Sequence, residues 1–150
     1  MRTARAGFTA IELLCVLAVV GILASLAAPA MNSWVERLRV RTALDLLTSH
    51  VTRGRMLAAR EAVRVRLRFE PATGCARAYV LSRAADGATL DSVALSPEHR
   101  SVCLHANVPQ PLVFDSRGML VGSPRMIYGR AGSQKDSISV SMAGRIYRWY

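Results

Sequence analysis

The sequence predicts an α+β fold: one long N-terminal helix followed by a small antiparallel β head of two sheets. Three observations carry this prediction. Residues 8–31 form a 24-residue run in which Glu12 is the only side chain that ionises strongly. No proline interrupts the chain between Pro29 and Pro71, and across that interval apolar residues recur at three- and four-residue steps. From Val63 onward the apolar period drops to two, and short alternating segments are separated by turn signals up to the last residue.

Taken in order, residues 1–7 are a short basic segment carrying Arg2 and Arg5. Residues 8–31 exceed the roughly 20 apolar residues that a bilayer crossing requires. A carboxylate in that setting costs about 2.5–3.5 kcal/mol, so Glu12 needs a cationic partner, and the run itself supplies none. A cut after Gly7 would create one, the new amine of Phe8, presented by a neighbouring subunit. An ordinary secretory signal has an apolar core of about 7–15 residues before its A-x-A site. Ala28-Pro29-Ala30 matches such a site formally, but the run before it is too long and contains Glu12. A plain membrane anchor accounts for the length and leaves Glu12 without a role.

Residues 32–62 continue the helix as an amphipathic segment. Val40, Ala43, Leu44, Leu47, Val51, Gly54 and Ala58 make one apolar face, with Arg37, Arg41, Arg53 and Arg60 largely off it. A helix over residues 8–62 would be about 80 Å long, with Pro29 expected to kink or loosen it. Residues 63–150 make the head. Val63-Arg64-Val65-Arg66-Leu67-Arg68-Phe69 alternates strictly, as a half-buried strand does, with its arginines on the wet face. Further strands are predicted over 77–82, 89–95, 102–105, 112–115, 119–121, 125–128, 137–142 and 145–149. The turn signals between them include 71–74, Asp86-Gly87, Pro97, 109–111, Gly118, Gly132-Ser133 and Gly144. One long helix followed by many short strands implies two small antiparallel sheets.

Nineteen arginines and one lysine against ten carboxylates give a net charge of +10. Without residues 1–7 the side-chain sum is +8, from 18 basic and 10 acidic groups. That excess suits an acidic partner such as nucleic acid, anionic lipid or an acidic protein face. Cys15 falls in the apolar run and reads as a small apolar filler. Cys75 and Cys103 fall in the head, where an oxidising compartment would let them pair, although spacing alone does not show that their Cβ atoms meet. No C-x-x-C pattern or histidine cluster marks a metal site, and no cofactor motif is present. His50 reads as a helix-surface residue, His99 as a loop residue and His105 as the end of a strand. Without a glycine-rich phosphate loop or a paired-carboxylate motif, the sequence points away from an enzyme.

Gly7-Phe8-Thr9-Ala10-Ile11-Glu12-Leu13-Leu14 resembles the type IV prepilin signal. The resemblance implies that a prepilin peptidase removes residues 1–7 and methylates the amine of Phe8. It implies a single-pass inner-membrane protein with a cytoplasmic N-terminus and a periplasmic head. Glu12 would then pair with the N-terminal amine of another subunit. The segments VRVRLRFEPATG, PLVFDSRGMLVG and SISVSMAGRIYRW, in that order behind this start, resemble the GspH/FimT family of minor pilins and pseudopilins. That family supplies low-copy, non-enzymatic subunits near the tip of a type IV pilus or a type II secretion pseudopilus. The implied partners are other pilin or pseudopilin subunits, the prepilin peptidase and the inner membrane.

An alternative role is DNA binding for uptake in natural transformation. Some members of the family with that role carry a Gly-Arg-x-Arg motif in their last strands. Here Gly144-Arg145-Ile146-Tyr147-Arg148-Trp149 places the second arginine one residue late. By strand alternation Arg145, Tyr147 and Trp149 share a face and Arg148 points the other way. Arg117, Arg125, Arg130 and Lys135 could extend a basic rim beside them. The plainer reading makes this a solvated basic surface on which Tyr147 and Trp149 close the core.

Overall fold

The structure is a computed structural model that describes residues 9–95, 99 and 101–149, with the side chains of residues 26–30 excepted. The chain divides after Val35 into two compact units. A single helix, α1 (Ala10–Glu61), supplies the first and continues into the second. It ends where Ala62 takes a left-handed conformation (φ 54°) and the Val63 amide donates back to the Ala58 carbonyl at 3.2 Å. This is the bonding of a Schellman cap, here without the usual glycine.

The head contains β1 (Val65–Glu70), β2 (Ala78–Arg83), β3 (Thr89–Ala94), β4 (Cys103–Ala106), β5 (Leu112–Phe114), β6 (Arg125–Ala131), β7 (Gln134–Val140) and β8 (Ile146–Trp149). They form two four-stranded antiparallel sheets, ordered β3-β2-β1-β5 and β4-β6-β7-β8. The α+β class with two sheets is therefore as the sequence indicates. Three strands differ in extent by more than two residues at an end. Residues 119–121 form only an isolated bridge, Phe114 to Leu120. β6 runs on to Ala131, and β7 begins at Gln134, because a two-residue turn at Gly132 and Ser133 joins them with Ala131 opposite Gln134. Gly132 has φ +53° there, as such a tight hairpin requires.

The core is one cluster. Val40, Ala43, Leu44, Leu47, Val51 and Ala58 bring the apolar face of α1 onto the inner faces of both sheets, which add Val65, Leu67, Tyr79, Leu104, Leu112, Phe114, Ile127, Ile138 and Val140. Two glycines let the helix approach. A Cβ on Gly129 of β6 would lie 3.0 Å from Val40 and 3.2 Å from Leu44, and one on Gly54 of α1 would lie 2.8 Å from Leu81 of β2. The helix thus seats its earlier turns on the second sheet and its later turns on the first. His50 is not a surface residue. It is largely buried, with Nδ1 2.9 Å from the Tyr79 hydroxyl and the two rings edge-to-face at 5.5 Å. Burial, reinforced by Asp91, pushes the Tyr79 phenol above its ordinary pKa.

Candidate functional site

Three places on the molecule bear on function. The first is the start of α1. Thr9 caps the helix: its Oγ1 accepts from the Glu12 amide at 3.3 Å, and its carbonyl accepts from the Glu12 and Leu13 amides at 3.1 and 3.2 Å. Thr9-x-x-Glu12 is a capping-box pattern, and Glu12 lies in the first turn, where the positive end of the helix dipole favours a carboxylate. This local role was missed by the sequence reading, although the Thr-x-x-Glu spacing signals it. Gly7 and Phe8 lie outside the described residues. Every side chain from residue 9 to residue 25 is exposed, so among the described residues nothing covers this apolar helix. Among the described residues no helix is long and apolar enough to cross a membrane. Described side chains of the apolar run stop at Ser25 and resume at Met31.

The second place is a pair of turns. Asp115 Oδ1 accepts from the amides of Arg117 and Met119, both at 2.9 Å, while Oδ2 takes the Arg117 guanidinium at 3.1 Å. These donors, the Met119 amide foremost, hold the Asp115 carboxyl below the usual carboxylate range. Gly118 follows with φ +74°. Gly144, at the turn before β8, has φ +71°, and a Cβ there would lie 2.8 Å from both the Gly118 carbonyl oxygen and Arg55 Cδ. Arg55 Nη1 also donates to the Gly144 carbonyl at 3.3 Å. The two turns therefore meet over one helix residue.

Two expected results follow from these turns. Gly144→Ala forces a left-handed alanine against a backbone oxygen and lowers unfolding stability by about 2–3 kcal/mol, measured by urea denaturation. Asp115 has a depressed folded pKa, so its stabilisation is complete above the unfolded carboxyl value of about 3.9 and fades as pH falls through the folded value. The stability advantage of the native chain over Asp115→Asn should therefore be constant near neutrality and vanish in acid.

The third place is the outer face of the second sheet. Tyr128 and Arg130 on β6, Lys135, Ser137 and Ser139 on β7, and Tyr147 and Trp149 on β8 alternate with buried neighbours and turn outward. Arg130 stands opposite Lys135, Ser137 opposite Trp149, and Ser139 opposite Tyr147. Trp149 Nε1 donates to Ser139 Oγ at 3.0 Å. Tyr147 and Trp149 are 50% and 60% exposed, so they do not close the core. Arg145, exposed just before β8, adds a cation beside them.

Arg148 is placed differently. Its side chain is only 19% exposed; Nη1 meets Asp45 Oδ1 of α1 at 2.6 Å and Nη2 meets Asp136 Oδ2 of β7 at 2.8 Å. Burial by itself would lower the guanidinium pKa, but the hydrogen bond and charge of Asp136, then of Asp45, outweigh it and raise the value. Arg148 is thus a clamp between β8, β7 and the helix, not a member of the outward basic surface. Cys75 and Cys103 are joined in a disulfide, with Cα atoms 4.9 Å apart.

Known proteins show the same architecture. No family model matches the chain. The structure resembles the type IV minor pilin FimU of Pseudomonas aeruginosa with a TM-score of 0.66, at 17% identity, over 78% of this chain and 92% of that one. It also resembles the minor pseudopilin EpsH of the type 2 secretion system of Vibrio cholerae, with a TM-score of 0.57, at 12% identity, over 74% of this chain and 96% of that one. A stretch of 46 residues is 44% identical to the type IV major fimbrial protein FimA of Dichelobacter nodosus. The match covers 31% of this chain and 29% of that relative's length. The fold is therefore of the type IV pilin kind.

Proposed function

We propose that this chain is a non-enzymatic filament subunit, a minor pilin or minor pseudopilin held in the inner membrane by residues 8–31 and assembled at or near the filament tip. The observation that carries this reading is the apolar helix of residues 9–25, exposed on every side and bearing one carboxylate in its first turn, on a pilin-type fold. An all-round apolar helix is stable only among lipids or other helices. A prepilin peptidase would cut after Gly7 and methylate Phe8, and the new amine would meet Glu12 of an adjacent subunit. Intact-mass measurement after co-expression with such a peptidase tests the first step. The expected product begins at methylated Phe8, and an unprocessed chain would count against the reading.

A second reading, DNA binding by the head, is favoured by the outward face of the second sheet. Tyr128, Tyr147 and Trp149 could stack bases, while Arg130, Lys135 and Arg145 would meet the backbone. Titration with labelled single- and double-stranded DNA at two salt concentrations tests it, since phosphate contacts weaken steeply with salt. Arg145→Ala should weaken binding while changing unfolding stability by less than about 0.5 kcal/mol. Arg148→Ala should instead cost about 2 kcal/mol of stability by leaving the largely buried Asp136 carboxylate without its cation. Salt-insensitive or undetectable binding would remove this reading and leave the filament role.

A further inference from the structure

A basic pocket lies where α1 passes the start of β7. It has a volume of about 360 Å³ and is lined by Arg37 and Arg41 of α1 and by Gln134, Lys135 and Asp136 of β7. Gln134 Oε1 accepts from Arg37 Nε at 3.3 Å, which ties that guanidinium to β7. Neither Arg37 nor Lys135 makes an ion pair among the described residues. The one carboxylate in the lining, Asp136, is already engaged by Arg148 at 2.8 Å. Arg130 stands opposite Lys135 across the hairpin and adds to the positive field. The carboxylate of Glu36 is turned instead toward Gly132, within 2.6 Å of where a Cβ would be. The lining therefore carries three cations against one anion that has its own partner.

We propose that this pocket binds a phosphate group, and that its occupant is the headgroup of an anionic membrane phospholipid. Guanidinium forks match phosphate oxygens in pairs, and an ammonium adds a point charge to the same oxygens. The volume fits a small headgroup, whereas a nucleic-acid strand needs an extended track. The source follows from the sequence. Arg37 comes six residues after Met31, the end of the apolar run, and six residues reach at most about 22 Å. With that run in a bilayer, the chain itself keeps Arg37 within that reach of the headgroups. The lipid source thus rests on the membrane reading above, while the phosphate chemistry of the pocket does not.

The test uses the full chain in neutral detergent and measures lipid adducts by native mass spectrometry against phosphatidylglycerol and phosphatidylcholine. Phosphatidylglycerol should bind at least about tenfold more tightly. The exposed pair Arg37→Gln and Lys135→Gln, made together, should weaken it about 25-fold, at roughly fivefold per cation, without changing phosphatidylcholine binding. Equal binding of the two lipids, or an unchanged double variant, overturns the proposal. Displacement of phosphatidylglycerol by inorganic phosphate at matching concentration would make free phosphate the ligand and overturn the lipid source. Displacement by an oligodeoxynucleotide would assign the pocket to nucleic acid and overturn it as well. Alkaline extraction from vesicles separates the two layers of the inference. Release of the native chain sinks the membrane reading and the lipid source with it, whereas retention without headgroup preference sinks the lipid site alone.

Discussion

Glu12→Ala should leave the full chain in the membrane fraction but cut its recovery in sheared filaments by at least about 100-fold. That factor corresponds to the ~3 kcal/mol or more lost when one partner of a buried ion pair is removed. The structure adds a second substitution that makes this result interpretable. Glu12 sits at the third position of a Thr9 capping box, a position that glutamine fills nearly as well as glutamate. Glu12→Gln therefore keeps the cap and removes the charge. Under the proposed pairing with a neighbour's N-terminal amine, both variants fail to incorporate. Normal incorporation of Glu12→Gln beside a failing Glu12→Ala would reduce Glu12 to a local helix-starting residue.

Replacing Cys75 and Cys103 together by alanine should lower the unfolding stability of the chain by about 3–4 kcal/mol, the loop-closure value for a 28-residue separation. The damage should begin next to the bond. Ala76 and Leu104, the residues that follow the two cysteines, exchange amide-to-carbonyl hydrogen bonds at 3.0 Å in both directions. They form an isolated bridge linking the segment before β2 in the first sheet to β4 in the second. Denaturant titration should show the shifted midpoint, and amide hydrogen exchange should show Ala76 and Leu104 losing protection first. An unchanged midpoint would mean that the core alone holds the sheets together.

The parts of the fold set by local periodicity were legible in the sequence. Val40, Ala43, Leu44, Leu47, Val51 and Ala58 are all buried, as their helical spacing requires. Val65, Leu67 and Phe69 are buried while Arg64 and Arg68 are exposed, as the alternation of β1 requires. What escaped depends on partners distant in the chain. His50 has a surface-like sequence neighbourhood, and only Tyr79 draws it inward. Strand alternation correctly turned Arg148 away from Tyr147, but nothing local announced Asp45, 103 residues earlier, as its partner. Of the two readings of Tyr147 and Trp149, outward stacking surface or closure of the core, the structure excludes the second. They lie on the outer side of a sheet whose inner side Ile138 and Val140 already fill.

The meeting of Gly118 and Gly144 over Arg55 makes two loops, 26 positions apart, a single mechanical joint. A methyl group added to either glycine presses on the same arginine, so the second injury finds a joint that the first has already opened. The paired substitution should therefore cost less than the sum of its parts. A lengthened loop at one glycine could likewise be accommodated only with a matching change at the other.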